Sequence, residues 1–365
     1  MKYLDVVVEN KSRHTDSFFT YRAPDETELR IGDKVWVPFG RGDKTKAGFV
    51  FAFPEHISCP EQKIKEIEGI DAAGSLNREM MKTAAWMKQR YAITYSDAIS
   101  CFCVKGKPPR EGKAKEPYKD LPGRDERPAA LTEEQTASVE RINEAIAASR
   151  HEIFLLHGVT ASGKTEVYME AIDKCLKLDK TAIMLVPEIA LTNQIMEHFI
   201  GRFGKDRLAV MHSKLTPRER YDEWHRIRSG RARIVIGARM GVFAPAENIG
   251  LIIMDEEHEA TYKSDMTPKY DTVEVAAKRL QTTGGVLLLG SATPSVVSYE
   301  RAKEGIYQLL TLKQRYNRNP LPRVEIVDMR EELRAGNTNI FSRRLYSAIE
   351  ETLKKGQQVI LFQNR

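Results

Sequence analysis

From residue 131 onward, short apolar runs alternate with stretches of helical pattern. The runs fall at residues 153–156, 182–186, 208–211, 234–236, 251–254 and 286–289. Strands buried on both faces read this way, and their alternation with helices implies βαβ units around a parallel sheet. A sheet of that kind collects ligands at the carboxyl ends of its strands.

The first hundred residues are patterned differently. Short β-favouring runs at residues 6–8, 18–21, 34–38 and 47–53 are punctuated by Gly, Pro and Asp. They predict a small β-rich unit over residues 1–104. A helix is expected at 77–91 with Asn77 as its N-cap. Residues 105–128 are rich in Lys, Pro, Gly and Glu and nearly free of apolar side chains, so they read as a linker. The α/β pattern occupies residues 129–315. Beyond Arg315 the chain is loop-like, with strands expected at 324–327 and 357–362 and a helix at 342–355 capped by Ser342. A strand among the last residues lacks cover for its edges. Residues 316–365 therefore read as the opening of a second α/β lobe, cut off.

A chain of 365 residues exceeds the ~250–300 at which single cores stop growing, so more than one domain is expected. No apolar run approaches the ~20 residues that span a bilayer. The N-terminus lacks the pattern of a secretory signal. A cytoplasmic protein with no membrane partner is the expectation. Cys59, Cys101, Cys103 and Cys175 are too few and too scattered for a disulfide framework, and no zinc site is expected from them. The net charge of +6 is concentrated, with eleven Lys and Arg against four Asp and Glu between Arg202 and Arg239. Such a run suits a polyanionic partner, or a solvated helical face where both signs mix at 216–229.

The most informative segment is Gly158-Val159-Thr160-Ala161-Ser162-Gly163-Lys164-Thr165, which fits G-x-x-x-x-G-K-[ST] between an apolar run and a helical stretch. That is the context of a phosphate-binding loop. Its amides and the following helix N-terminus would cradle a triphosphate. Lys164 would reach the β- and γ-phosphates and the Thr165 hydroxyl would ligate Mg²⁺. The run 251–254 leads into Asp255-Glu256-Glu257-His258. Asp255 is assigned to the metal and Glu256 to general base. Gly290-Ser291-Ala292-Thr293-Pro294 follows the next run, where the Ser291 and Thr293 hydroxyls, with His258, would couple the acidic tetrad to a bound polymer. Gln135 offers a donor and an acceptor to an adenine edge, or completes a capping box with Thr132.

In this order, with Val186-Pro187-Glu188-Ile189, His212-Ser213 and Ile236-Gly237-Ala238-Arg239, the motifs resemble the superfamily 2 DNA helicases. More narrowly the chain resembles the replication-restart helicase family of primosomal protein N′. The resemblance implies a RecA-like phosphate-loop lobe at 129–315, with a mostly parallel sheet, behind an N-terminal domain that holds the 3′ end of DNA. It implies an ATP-driven 3′→5′ DNA helicase acting at stalled forks, with ATP and Mg²⁺ as cofactors. Forked, 3′-ended and single-stranded DNA, primosome proteins and single-strand-binding proteins are its implied partners, in a bacterial, nucleoid-associated setting. DNA contacts carry over to Phe19, Tyr21, Phe39, Arg239, Tyr262, Lys263, Lys269 and Tyr270. Tyr262 and Tyr270 would stack on bases or else cap the core.

Three departures accompany the resemblance. Thr20 stands where many relatives have an Asp tied to the 3′-hydroxyl, and Ala238 where Thr is usual. The family's winged-helix domain has no room in residues 105–128. The similarity stops at 358–365, before the family's zinc-binding cysteines and ATP-sensing arginines. The chain alone is then expected to bind ATP and DNA but hydrolyse poorly, or to serve as a non-catalytic module for forks and 3′ ends.

Overall fold

Asn77 accepts a hydrogen bond from the Met80 amide at 2.9 Å and starts a helix, α1 (Arg78–Tyr91), as its sequence position predicts. The computed structural model describes residues 2–10, 12–57, 59–104, 117–118, 120–188, 192–315 and 323–363. Linker residues 105–116 and 119, residues 189–191 of the Pro187-Glu188 motif, residues 316–322 and the final two positions lie outside the described residues. The chain forms two units, Met1–Asn317 and Arg318–Arg365.

Ahead of α1 lie β1 (Lys2–Val8), β2 (Phe19–Ala23), β3 (Lys34–Phe39), β4 (Lys44–Ala52), β5 (Lys65–Glu66) and β6 (Gly69–Asp71). They form one sheet in the order β5-β2-β1-β4-β3-β6. Alternation puts Leu4, Val6 and Val8 of β1 into one core with Tyr21, Val35, Val37 and Val50. Val7 and Phe49 face the other way, in a core with Met80, Met81, Ala84 and Met87 of α1 and Ala98 and Ile99 of α2 (Tyr95–Ser100).

The second sheet is built from β7 (Ile153–Gly158), β8 (Thr181–Leu185), β9 (Leu208–Met211), β10 (Ile234–Gly237), β11 (Ile249–Asp255), β12 (Val286–Ser291) and β13 (Gln308–Leu312). Its order is β13-β7-β12-β11-β8-β10-β9 and every pairing is parallel. The connecting helices are α3 (Glu133–Ala147), α4 (Lys164–Lys177), α5 (Asn193–Phe203), α6 (Pro217–Arg228), α7 (Thr272–Thr283) and α8 (Val296–Lys303). All six expected apolar runs are strands. β13 is a seventh, on the edge, where Leu310 and Leu312 are buried but Leu309 is exposed.

Helix α1 is joined to this α/β body through α7. Arg279 of α7 is wholly buried and pairs with Glu79 of α1. At the rim, Arg90 and Tyr91 both donate to Glu274, at 2.7 and 2.9 Å. The indole of Trp224 donates to the Phe102 carbonyl at 2.9 Å. The described end of the linker packs as well. Tyr118 and Leu121 lie against the core, and the Arg124 amide donates to the Glu197 carbonyl of α5 at 2.9 Å. Gly123 crosses Gly201 so closely that a Cβ on either would meet the other strand of chain.

In the second unit, α10 (Arg343–Lys354) follows α9 (Met329–Arg334), and Ser342 caps α10 by accepting from the Leu345 amide at 3.0 Å. The strands expected at 324–327 and 357–362 do not form. Ile326 and Ile360 are 95% and 94% exposed, because an extended segment without a hydrogen-bonded neighbour has no ladder to join.

Candidate nucleotide and nucleic-acid site

The phosphate-loop residues form the turn from Gly158, the last residue of β7, to Lys164, the first of α4. The turn is made by left-handed residues, Ala161 at φ 61° and Gly163 at φ 78°. Glycine is needed at 163 twice over, because a Cβ there would also run into the Gln135 amide. The Lys164 ammonium donates to the loop's own Gly158 carbonyl at 3.0 Å. The Ser162 hydroxyl is buried without a protein partner. A buried, unpartnered hydroxyl beside a helix N-terminus fits a phosphate group.

Gln135, 1% exposed, does two things at once. Its carbonyl accepts from the Thr132 amide at 2.8 Å, completing the capping box of α3. Its amide donates to the Ser162 carbonyl at 3.0 Å and the Gly163 carbonyl at 3.4 Å. A cavity of about 420 Å³ opens beside it, lined by Ala161, Gly163, Thr165 and Glu166 and by Arg127 and Pro128 of the linker strap.

Asp255 ends β11 opposite Gly290 of β12, and Gly290 in turn pairs with Leu156 of β7. The carboxylate therefore stands two strands from β7, about 10 Å across the sheet. The Tyr168 phenol donates to Asp255 Oδ1 at 2.9 Å, and the Tyr262 phenol lies 2.8 Å from the Asp255 carbonyl and 3.0 Å from that of Leu185. Glu256 sits in a left-handed turn at φ 47°. Glu257 turns away and accepts from the Ser295 amide at 2.7 Å and the Ser298 hydroxyl at 2.9 Å, holding the start of α8. His258 Nδ1 and the Ser291 hydroxyl share a hydrogen bond of 2.8 Å, and the Thr293 amide donates to Ser291 at 3.0 Å. The acidic tetrad and the Ser-Ala-Thr turn are thus in direct contact. The sequence reading gave neither Tyr168 nor Glu257 a role of its own. Only the place of Tyr168, one helical turn beyond Lys164, hints at its direction.

Among the described residues no three metal-ligating side chains cluster. Mg²⁺ is usually held by one or two protein oxygens together with a phosphate. Thr165 and Asp255 supply oxygens of the right kind.

The other expected contacts divide. Lys263 and Lys269 are exposed. Arg239 donates to the Thr261 carbonyl at 3.2 Å and the Lys263 carbonyl at 2.5 Å, with its guanidinium 5.8 Å from the Tyr270 ring centre. A groove of about 260 Å³ runs past it, lined by Glu188, Ser213, Ala238 and Asp265. Tyr262 and Tyr270 are core residues, 3% and 8% exposed. Tyr270 packs edge-on to Phe243 at 4.8 Å, and burial pushes its phenol up to about 12. Of the two readings of these rings, this burial favours capping the core over stacking on bases.

The basic stretch from Arg202 to Arg239 is largely engaged inside the chain. Arg202 pairs with Glu170, Arg226 with Glu223, Arg228 with Glu247 and Arg233 with Asp179.

A further cavity of about 420 Å³ lies in the N-terminal domain, lined by Phe19, Thr20, Tyr21, Phe39, Gly40, Lys63 and Lys65. Phe19 and Phe39 meet edge to face at 5.0 Å. The buried Tyr21 phenol, raised to about 12 chiefly by burial, donates to the Pro38 carbonyl at 3.1 Å. Thr20 donates to Asp5 at 2.8 Å. The two lysines, distant in sequence, were not foreseen.

Residues 5–103 match the 3′DNA-binding domain family of PriA, and residues 132–302 match the DEAD/DEAH box helicase family. Replication restart protein PriA of Bacillus subtilis (strain 168) is 48% identical over 274 residues, 74% of this chain and 34% of that protein. Replication restart protein PriA of Treponema pallidum (strain Nichols) is 36% identical over 360 residues, 96% of this chain and 52% of that protein. The chain thus spans about a third to a half of the length of these relatives. A structure of RecG bound to a three-way DNA junction aligns with 65% of this chain and 31% of its own, at 21% identity and a TM-score of 0.43.

Proposed function

The chain belongs, over the residues matched, to the PriA family of replication restart proteins, and on that premise we propose that it binds ATP·Mg²⁺ and DNA as part of an ATP-driven 3′→5′ helicase acting at stalled forks. One observation carries the reading: the phosphate loop, Asp255 and the His258–Ser291 contact converge at the carboxyl ends of β7, β11 and β12. In this reading the 3′ end is held by residues 1–104 and the nucleotide by residues 129–315.

In this reading the loop amides and Lys164 hold the triphosphate, with the ammonium leaving the Gly158 carbonyl for the phosphates. Mg²⁺, held by Thr165 and Asp255, would neutralise charge on the phosphates. Glu256 orients the attacking water and takes its proton. The His258–Ser291 hydrogen bond gives the tetrad a mechanical link to the Thr293 turn, through which DNA contact is felt. Lys263, Lys269 and Arg239 supply phosphate contacts, while Phe19, Tyr21 and Phe39 receive a terminal base. Primosome and single-strand-binding proteins are the proposed partners.

For the 365-residue chain by itself we expect ATP and DNA binding with slow hydrolysis. An arginine from a second lobe is worth roughly 10³–10⁵ in rate in phosphate-loop enzymes. Calorimetry with a non-hydrolysable ATP analogue, against Lys164→Ala, tests the site. Nucleotide binding that survives Lys164→Ala refutes it. Single-strand-stimulated turnover of many per second refutes the slow-hydrolysis expectation. DNA binding without any nucleotide binding would leave the non-catalytic 3′-end module as the better reading.

A further inference from the structure

Tyr168 lies four residues after Lys164, so it points one turn along the same face of α4. It is wholly buried, yet its hydroxyl is spent on Asp255 Oδ1 at 2.9 Å rather than on a nearby carbonyl. The ring reaches Asp255 by passing over Gly290. A Cβ at 290 would stand inside the phenol oxygen, so the glycine that opens Gly-Ser-Ala-Thr is required by Tyr168. Gly290 is also the register partner of Asp255. One side chain therefore touches the phosphate-loop helix, the acidic strand and the Ser291 strand together.

The direction of the bond matters. A carboxylate that accepts one hydrogen bond at Oδ1 is fixed in rotation, and among the described residues Oδ2 has no protein donor.

We propose that Tyr168 is a positioning residue that fixes the Asp255 carboxylate with Oδ2 presented for Mg²⁺, and that Gly290 exists to let it pass. This rests on the nucleotide reading above. Residues that orient a metal ligand typically contribute 10–100-fold in metal affinity. Tyr168→Phe removes one oxygen and leaves the ring in place.

The test is a titration of the whole 365-residue chain with MgCl₂, reading the binding of a fluorescent ATP analogue, with a parallel series in EDTA. In Tyr168→Phe the Mg²⁺ concentration at half-saturation should rise about tenfold, while metal-free nucleotide affinity stays within twofold. In an Asp255→Asn background the same change should add nothing, because the ligand it orients is gone. A merely structural tyrosine would weaken binding equally with and without Mg²⁺, and that result overturns the proposal, as does an unshifted titration. If Tyr168→Phe melts early, Gly290→Ala reads the same contact from the other side, with the same two outcomes. Absence of any Mg²⁺-dependent binding in the unmodified chain overturns the nucleotide reading and this inference with it. An unshifted titration overturns this inference alone.

Discussion

Arg279 and Glu79 share two hydrogen bonds, 3.0 and 2.8 Å long, with the guanidinium entirely out of solvent. The third nitrogen of the same guanidinium donates to the Val242 and Ala244 carbonyls at 2.6 and 3.0 Å. It thereby ties α1 to the segment that carries Arg239. Removing one member of a buried pair strands the other charge, which typically costs about 3–5 kcal/mol. Arg279→Ala should lower unfolding stability by that order in denaturant titration. Joint replacement, Glu79→Leu with Arg279→Met, should recover much of the loss, whereas a recovery no better than either single change would mean the carbonyl bonds dominate.

The strands of the parallel sheet were legible because burial on both faces leaves continuous apolar runs, as at 251–254 and 286–289. β13 was not, because an edge strand is half wet: Gln308 and Thr311 break its run, and Leu309 faces solvent. The site was legible where chemistry is local in sequence, as in Gly158–Thr165. It was opaque where one residue acts across 87 positions, as Tyr168 does on Asp255. Composition also misled over the tyrosines. A Tyr beside a Lys reads alike whether its ring meets a base or, as at 262 and 270, the core. The pairing within the charge run from 202 to 239 was hidden for the same reason, since its carboxylate partners Glu170, Asp179 and Glu247 lie outside the stretch.

Thr132 and Gln135 separate capping from nucleotide binding. Thr132→Ala removes only the cap of α3 and should cost about 1 kcal/mol of stability, with nucleotide affinity unchanged. Gln135→Ala also releases the Ser162 and Gly163 carbonyls, so affinity should fall about tenfold, the order expected for losing one or two buried hydrogen bonds. Equal effects of the two variants on affinity would show that the cap alone matters.

His212 gives the stability a pH dependence. Burial holds its pKa below the ordinary 6.5, outweighing Glu188 and Glu219, while Lys214 and Arg220 act in the same direction as burial. The unfolded chain then binds the proton more readily than the folded one, so stability rises with pH across this window. The contribution is complete above pH 6.5 and is lost as pH falls from there through the lower folded value. His225 is depressed in the same sense, again chiefly by burial. Thermal midpoints compared at mildly acidic and neutral pH should show a smaller acid loss in His212→Gln than in the unmodified chain. An unchanged slope would mean the imidazole is neutral in neither state's favour.

On the proposed reading, the N-terminal cavity makes the most specific demand on DNA. Phe19 and Phe39 meet at right angles, so only one ring can offer its face to a base while the other supports it by its edge. Stacking of a base on an aromatic ring is worth about 1–3 kcal/mol. Phe39→Ala should therefore weaken binding of a 3′-ended single strand by roughly 5- to 150-fold in fluorescence anisotropy, and leave an oligonucleotide with a blocked 3′ end nearly unaffected. Thr20 sharpens the expectation. Its hydroxyl is already committed to Asp5, its partner across β1 and β2. Asp5 thus holds a carboxylate directly beside Thr20. Thr20→Val should consequently reduce discrimination between a free 3′-hydroxyl and a 3′-phosphate, because an unbonded Asp5 is free to turn away. Discrimination that is absent from the unmodified chain would remove the terminal hydroxyl from the list of groups this cavity reads.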